Sequence, residues 1–465
     1  MAILLRKEND LGRDPVGVLI LRLAMPTMLA QFINVLYSIV DRMFIGHIPQ
    51  VGDLALAGVG VCGPIVTLLS SFSYLACLGG GPLFSMKMGS GDREGASAIL
   101  SNCLRMLLAL AAGLAGLFFL LRRQLLWWFG ASPDTFPYAL TYMTIYIAGT
   151  AFALMAAGLN NFLICQGRSG LGMATVVLGA GLNICLDPLF IFGLNMGVAG
   201  AAWATLLSQA ASCAFALIAL TRPTMPVPLR WGSFDFSLCR KVITFGMAPF
   251  LTYALDSVIL IVLNATLQRR GGPGEGDALL TCCSVVQSYM LLIAMPMSGI
   301  TLGCQGVISY NLGAGSAQRV KKALKGVFAL CLTFAALMLA ATYLVSPAFV
   351  RLFTQNEYLK DRSVKLIRVY TAGILFLPIQ WTVVDGSTAL GQTRLALFCS
   401  LLRKTIFVSS VVGLPCFFPA WSAFCAEPLC DVTAACVSAV LFLRHTPRTL
   451  AHHCVPVDTQ AASGI

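Results

Sequence analysis

The chain has 465 residues, of which 58% are hydrophobic and only 11% charged, about half the usual charged share of a globular domain. Its mean hydropathy is +0.83. A total of 31 Lys and Arg with 19 Asp and Glu, mostly in short clusters, cannot give a chain of this length a water-facing surface, which excludes a soluble enzyme, a disordered chain and a secreted disulfide scaffold.

Read from the N-terminus, Arg6, Lys7 and Arg13 precede the first apolar stretch without a compact signal-peptide pattern. Leu54–Met86, Thr135–Gly167, Pro188–Thr221, Ala278–Gln318 and Gly326–Val350 then contain no Asp, Glu, Lys or Arg. A membrane-spanning helix needs about 20 apolar residues, because its backbone polar groups must be satisfied within the segment. Barrel strands would alternate polarity in pieces of about ten residues, and nothing in the chain does. The pattern predicts an all-α integral membrane protein with twelve helices near 16–44, 54–86, 96–121, 135–165, 169–192, 198–221, 240–267, 279–310, 323–346, 364–390, 395–415 and 421–444.

Basic residues set the orientation. With the N-terminus inside, 21 of the 31 Lys and Arg fall in inside loops and their flanks and 10 outside. This bias places a multi-pass chain in a cell (inner) membrane with both termini in the cytoplasm. It also accounts for the +12 net charge without a nucleic-acid partner. Arg403 and Lys404 in the eleventh helix are expected towards its cytoplasmic end. Most of the 17 Cys lie inside spans, where Cys acts as a small apolar residue. His47, His445, His452 and His453 sit at span ends or in the tail, so neither a His-ligated metal nor a Ser–His protease is expected.

The chain repeats itself. Shifted by 224 residues, Leu78–Leu100 falls on Leu302–Leu324, with Leu78, Gly79, Ser85, Gly89, Gly91 and Leu100 meeting identical residues. Gly167 lands on Gly391, and Pro26 meets Pro249 with a slip of one. Six spans fit one period, and an even number preserves orientation, so the two six-helix repeats are parallel, a symmetry of secondary transporters whose sites lie between repeats. The expected divisions are a first lobe at 1–222, a linker at 223–239, a second lobe at 240–445 and a cytoplasmic tail at 446–465.

Five Asp residues fall inside predicted spans, namely Asp41, Asp187, Asp256, Asp385 and Asp431, where a carboxylate costs about 2.5–3.5 kcal/mol on insertion scales. Asp187 follows Asn183 by one helical turn, and Pro188 leaves the carbonyl of Ile184 without its helical donor. Such a cluster of oxygens suits a proton or Na⁺. Asp256 and Asp385 are candidates for cation coupling or substrate attraction. Tyr253 and Met290, with Phe32, Tyr37, Tyr146, Trp381 and Met295, would wall a pocket for flat apolar cations.

The segments AMPTMLAQFINVLYSIVDRMFIGHI (24–48), GGGPLFSMKMGSGD (79–92), NICLDPLFIF (183–192) and MGVAGAAWATLLSQ (196–209) resemble the multidrug and toxic compound extrusion (MATE) family, most closely its bacterial MepA-like branch. FGMAPFLTYALDSVILIVLN (245–264) and Trp421…Pro428-x-x-Asp431 extend the likeness to helices 7 and 12. The resemblance implies a two-lobed antiporter that exports small organic cations and drugs, with H⁺ or Na⁺ as coupling ion, no other cofactor, no enzymatic activity and no obligate protein partner. It carries the coupling site onto Asp41, Asn183, Asp187 and Thr205 and a bend in helix 1 onto Pro26. Asp256 departs from the branch, which often has Glu there. The competing reading is a lipid-linked glycan flippase, which would need a cationic cluster in the cavity, for which Arg105, Arg403 and Lys404 are the candidates. A membrane-embedded enzyme would need a catalytic constellation that the dispersed Asp residues do not offer.

Overall fold

A computed structural model describes residues 9–272, 275–353 and 356–453, and among them there is no strand. The helices are α1 (Val16–Gly46), α2 (Gly52–Gly89), α3 (Arg93–Trp128), α4 (Phe136–Ala148), α5 (Thr150–Cys165), α6 (Ser169–Pro188), α7 (Val198–Thr221), α8 (Phe236–Gly271), α9 (Glu275–Gly313), α10 (Ala317–Val350), α11 (Glu357–Tyr370), α12 (Leu377–Ala389), α13 (Thr393–Phe417) and α14 (Ala426–His453). Ten are long and apolar enough to cross a membrane singly, and the α4–α5 pair, bent by 57°, makes an eleventh span. That bend falls at Gly149, where a Cβ would stand 2.8 Å from Leu206 of α7.

The predicted helix at 364–390 is interrupted. Its first part, α11, carries Glu357, Lys360, Asp361, Arg362, Lys365 and Arg368 and buries only one side, with Ser363, Leu366, Ile367 and Tyr370. Residues 371–376 then leave the helix. At Gly373 the backbone approaches α14 so closely that a Cβ would lie 2.7 Å from Pro428 Cα, and Pro378 begins α12 where its missing N–H costs nothing. The last helix continues past the predicted 444 to His453. Residues 454–465, and with them most of the expected tail, lie outside the described residues.

Two buried cores organise the bundle. One gathers Ile45, Ile65, Phe84, Leu107, Phe162 and their neighbours as far as Val242. The other gathers Leu263, Cys304, Val327, Phe407 and their neighbours, and takes in Leu19, Ile20 and Leu23 of α1. So α1 begins in the core of the second half and ends in that of the first. Conversely, α8 begins in the first-half core with Val242 and ends in the second with Leu263 and Leu267.

The two helices exchange partners near Pro26 and Pro249, the prolines that the repeat aligns. Proline lacks the N–H that would bond the carbonyl four residues earlier. At Pro26 the freed Arg22 carbonyl accepts from Ser169 Oγ at 3.2 Å instead.

Glycine makes the crossing possible. A Cβ on Gly89 would collide with the Tyr310 carbonyl, and one on Gly313 with the Met86 carbonyl. The 224-residue offset maps Gly89 to Gly313 and Met86 to Tyr310, so these contacts are mates across a pseudo-twofold axis. Further along, Phe72 meets Phe250 with ring centres 4.9 Å apart, and Tyr74 meets Tyr253 at 4.4 Å. Beyond that level α1 and α8 diverge into different cores.

The closed end is also strapped by the segment before α1. Asn9 donates to the Gly167 carbonyl of the first half at 2.9 Å. From the second half, Asn311 donates to Leu11 O at 3.0 Å and Arg319 to Asp14 O at 2.7 Å.

Candidate functional site

Small residues bring α6 and α7 together. A Cβ on Gly179 would strike Ser212, and one on Gly200 would stand 2.7 Å from the Phe190 backbone. This approach lets Asn183 of α6 reach across. Its amide donates towards Asp187 Oδ1 at 3.4 Å and Thr205 Oγ1 of α7 at 3.5 Å. Asp41 of α1 completes the group, its carboxyl within hydrogen-bonding range of Asp187. Two ionised carboxylates can only accept and repel one another, so a proton or cation shared between them would stabilise the approach.

All four residues are buried, Asp187 completely. Asp41 Oδ1, Asn183 Oδ1 and Asp187 Oδ2 have no hydrogen-bond partner. Buried acceptors without donors cost about 1–3 kcal/mol each, and a proton or a hard monovalent cation would satisfy them. Local backbone contributes as well. Directly after Asp187 and Pro188 the chain passes into a π-helical turn, Leu189–Gly193, a deviation frequent at functional sites.

The candidates of the second half sit on three helices, α8, α9 and α12. Asp385 lies on α12 with Oδ2 unpartnered, and its backbone carbonyl accepts from Gln305 Nε2 at 3.5 Å. Asp256 lies on α8 and is ion-paired with Lys404 of α13. Tyr253 packs on Tyr74 where the halves meet, whereas Met290 is buried in the second-half core. In the first half, Tyr146 is likewise buried, stacked on Tyr142 with ring centres 6.2 Å apart.

Arg403 and Lys404 are not at the cytoplasmic end of their span. They stand near the middle of the 25-residue α13 and point different ways. Lys404 reaches Asp256, while Arg403 donates to Glu427 at 2.6 Å and Asp431 at 2.8 Å, both on α14. Tyr370 donates to the other Glu427 oxygen at 3.3 Å. Sequence reasoning overlooked Glu427. The available signal was its spacing of four from Asp431, which puts two carboxylates on one face at the depth of two cations stranded in an apolar run.

Comparison with known proteins follows the same plan. The MatE family model matches residues 26–189 and 250–416, one stretch in each half. The multidrug export protein MepA of Staphylococcus haemolyticus is 24% identical over 417 residues, covering 88% of this chain and 90% of that protein. MepA of Staphylococcus aureus (strain NCTC 8325 / PS 47) is 23% identical over 449 residues, covering 94% and 96%. A solved outward-facing multidrug resistance MATE family transporter of the MOP superfamily superposes with a TM-score of 0.88 at 20% identity, covering 95% of this chain and 98% of that one. Two family matches in register with the internal repeat, on an all-helical two-core bundle, mean that the chain belongs to the MATE family of membrane transporters.

Proposed function

We propose that this chain is a secondary active multidrug efflux transporter, exporting organic cations in antiport with H⁺ or Na⁺ by alternating access. The single observation that carries the reading is the buried Asp41–Asn183–Asp187–Thr205 group with its three unpartnered oxygens. The printed names of its relatives, multidrug export proteins, support the substrate class. Residues 1–222 and 240–445 act as the two lobes, joined by 223–239, and the last helix carries the second lobe on to His453. The 21 to 10 bias of basic residues makes the strapped end cytoplasmic and both termini internal in the cell membrane. On that orientation the end where α1 and α8 diverge into separate cores faces outwards, and the substrate cleft of the proposed transporter lies there between the halves.

Ion and substrate must prefer opposite states, because a ligand shifts an equilibrium only by its differential affinity. In the outward-open state the ion enters the Asp41–Asp187 group, replaces the missing hydrogen-bond donors and favours closure of the cleft after drug release. Loss of the ion to the cytoplasm resets the cycle. Against a flippase, each cation that could form a phosphate cluster is already engaged. Arg105 donates to the Gly232 carbonyl and lies over Trp231, Arg403 is held by two carboxylates, and Lys404 by one.

The test is efflux of ethidium from proteoliposomes under a pH gradient or a Na⁺ gradient imposed separately. Efflux driven by one gradient and lost in Asp187→Asn, with the variant still folded and inserted, is the expected result and names the ion. Full efflux in Asp187→Asn, or none in the wild type under either gradient, overturns the proposal.

A further inference from the structure

The Asp256–Lys404 pair stands apart from the other buried charges. Asp256 lies one turn beyond Tyr253, whose ring packs on Tyr74 of the first half. Its side chain is 46% exposed, against 9% for Glu427 and 1% for Asp431, so the carboxylate that holds Lys404 is open where the two that hold Arg403 are sealed inside the second half. Glu427 and Asp431 are occupied by Arg403. Asp256 therefore supplies the counter-charge of Lys404.

We propose that Lys404 sets the charge class of the substrate: the pair offers the cleft a carboxylate and an ammonium side by side, and selects organic cations that also carry a carboxylate over those that carry a positive charge alone. A simple monocation can engage Asp256 only by displacing Lys404, which leaves a largely buried ammonium group without its partner. A zwitterion exchanges one ion pair for two, its cation on Asp256 and its carboxylate on Lys404, and strands no charge. The Tyr74–Tyr253 rings one turn away present an aromatic floor for the flat part of such a molecule. This inference rests on the cleft being the substrate path.

Rhodamine B and its ethyl ester separate the two cases, since they differ only in whether the carboxylate is free. Binding would be followed by fluorescence polarisation with the purified full chain. The wild type is expected to bind rhodamine B more tightly than the ester by about tenfold, the size of one charge-assisted contact. Lys404→Gln should remove or invert that preference, weakening the acid and strengthening the ester, while Lys404→Arg keeps it. If Lys404→Gln does not fold, the Asp256→Asn/Lys404→Gln double variant, which leaves no charge unpaired, carries the comparison, with loss of the preference expected. Equal shifts for both dyes, or a preference that survives loss of the ammonium, overturn the assignment of Lys404 and leave the cleft reading intact. A wild type that binds neither dye overturns both.

Discussion

At the residue scale, the second half shows how a membrane protein keeps ions away from water. Arg403 is shared by Glu427 and Asp431, and Glu427 also accepts from Tyr370, whose hydroxyl accepts from Gln287 at 3.2 Å. Four helices, α9, α11, α13 and α14, are tied through one guanidinium. Removing one member of a buried ion group is more damaging than replacing the whole, because an uncompensated charge remains. Arg403→Met is expected to cost about 3–5 kcal/mol, visible as a lower thermal midpoint in detergent. Combining it with Glu427→Gln and Asp431→Asn should recover most of the loss. A single variant as stable as wild type would show that the triad carries no net structural role. In the first half, Thr205→Ala removes one partner of Asn183 and should weaken coupling-ion affinity by about threefold to tenfold, the scale of one hydrogen bond. The ion dependence of efflux measures it.

At the element scale, crossings of α2 with α9 hold the halves together, and they are made of backbone against backbone. Small residues substitute for hydrophobic force between helices in lipid by allowing close approach. Gly89→Ala and Gly313→Ala each put a methyl group where a carbonyl of the other half lies. Overpacking of this kind costs about 1–3 kcal/mol, which would shift the balance between closed and open ends by about fivefold to more than a hundredfold. Because the two glycines are mates under the repeat, their substitutions should lower efflux to similar extents. Gly113→Ala in α3, where a Cβ meets nothing within 4 Å, should leave efflux unchanged. Strongly unequal effects at positions 89 and 313 would mean that the pseudo-symmetric crossing is not the moving part.

At the scale of the whole molecule, the strap of residues 9–15 joins the two halves at one end only. Leu11 is buried in the second-half core, Asn9 holds Gly167, and Arg319 holds the carbonyls of Leu11 and Asp14. Loss of Arg319 removes two charge-assisted bonds, so local opening of the strap should become easier. Trypsin cleavage after Arg13, whose side chain is 92% exposed, is expected to accelerate about tenfold in Arg319→Ala, the size of one such bond. Unchanged proteolysis would show that apolar docking of Leu11 alone secures the segment.

Much of this architecture was legible along the chain. Hydropathy marked the spans, because lipid selects for apolar composition residue by residue. The 224-residue offset disclosed the repeat, and the i, i+4 spacing of Asn183 and Asp187 placed half of the proposed ion site on one helical face. Three matters were decided only by tertiary packing. The tenth span breaks at Gly373 because α14 crosses there. Thr205 meets Asn183 because glycines let α6 and α7 pack closely, and the packing of α1 on α6 brings Asp41 to Asp187. Lys404 meets Asp256, 148 residues away, instead of the cytoplasm, because the rotation and depth of α13 against α8 set its partner. Composition and periodicity are sums over neighbours in sequence, whereas the pairing of buried charges depends on how whole helices turn and slide against one another.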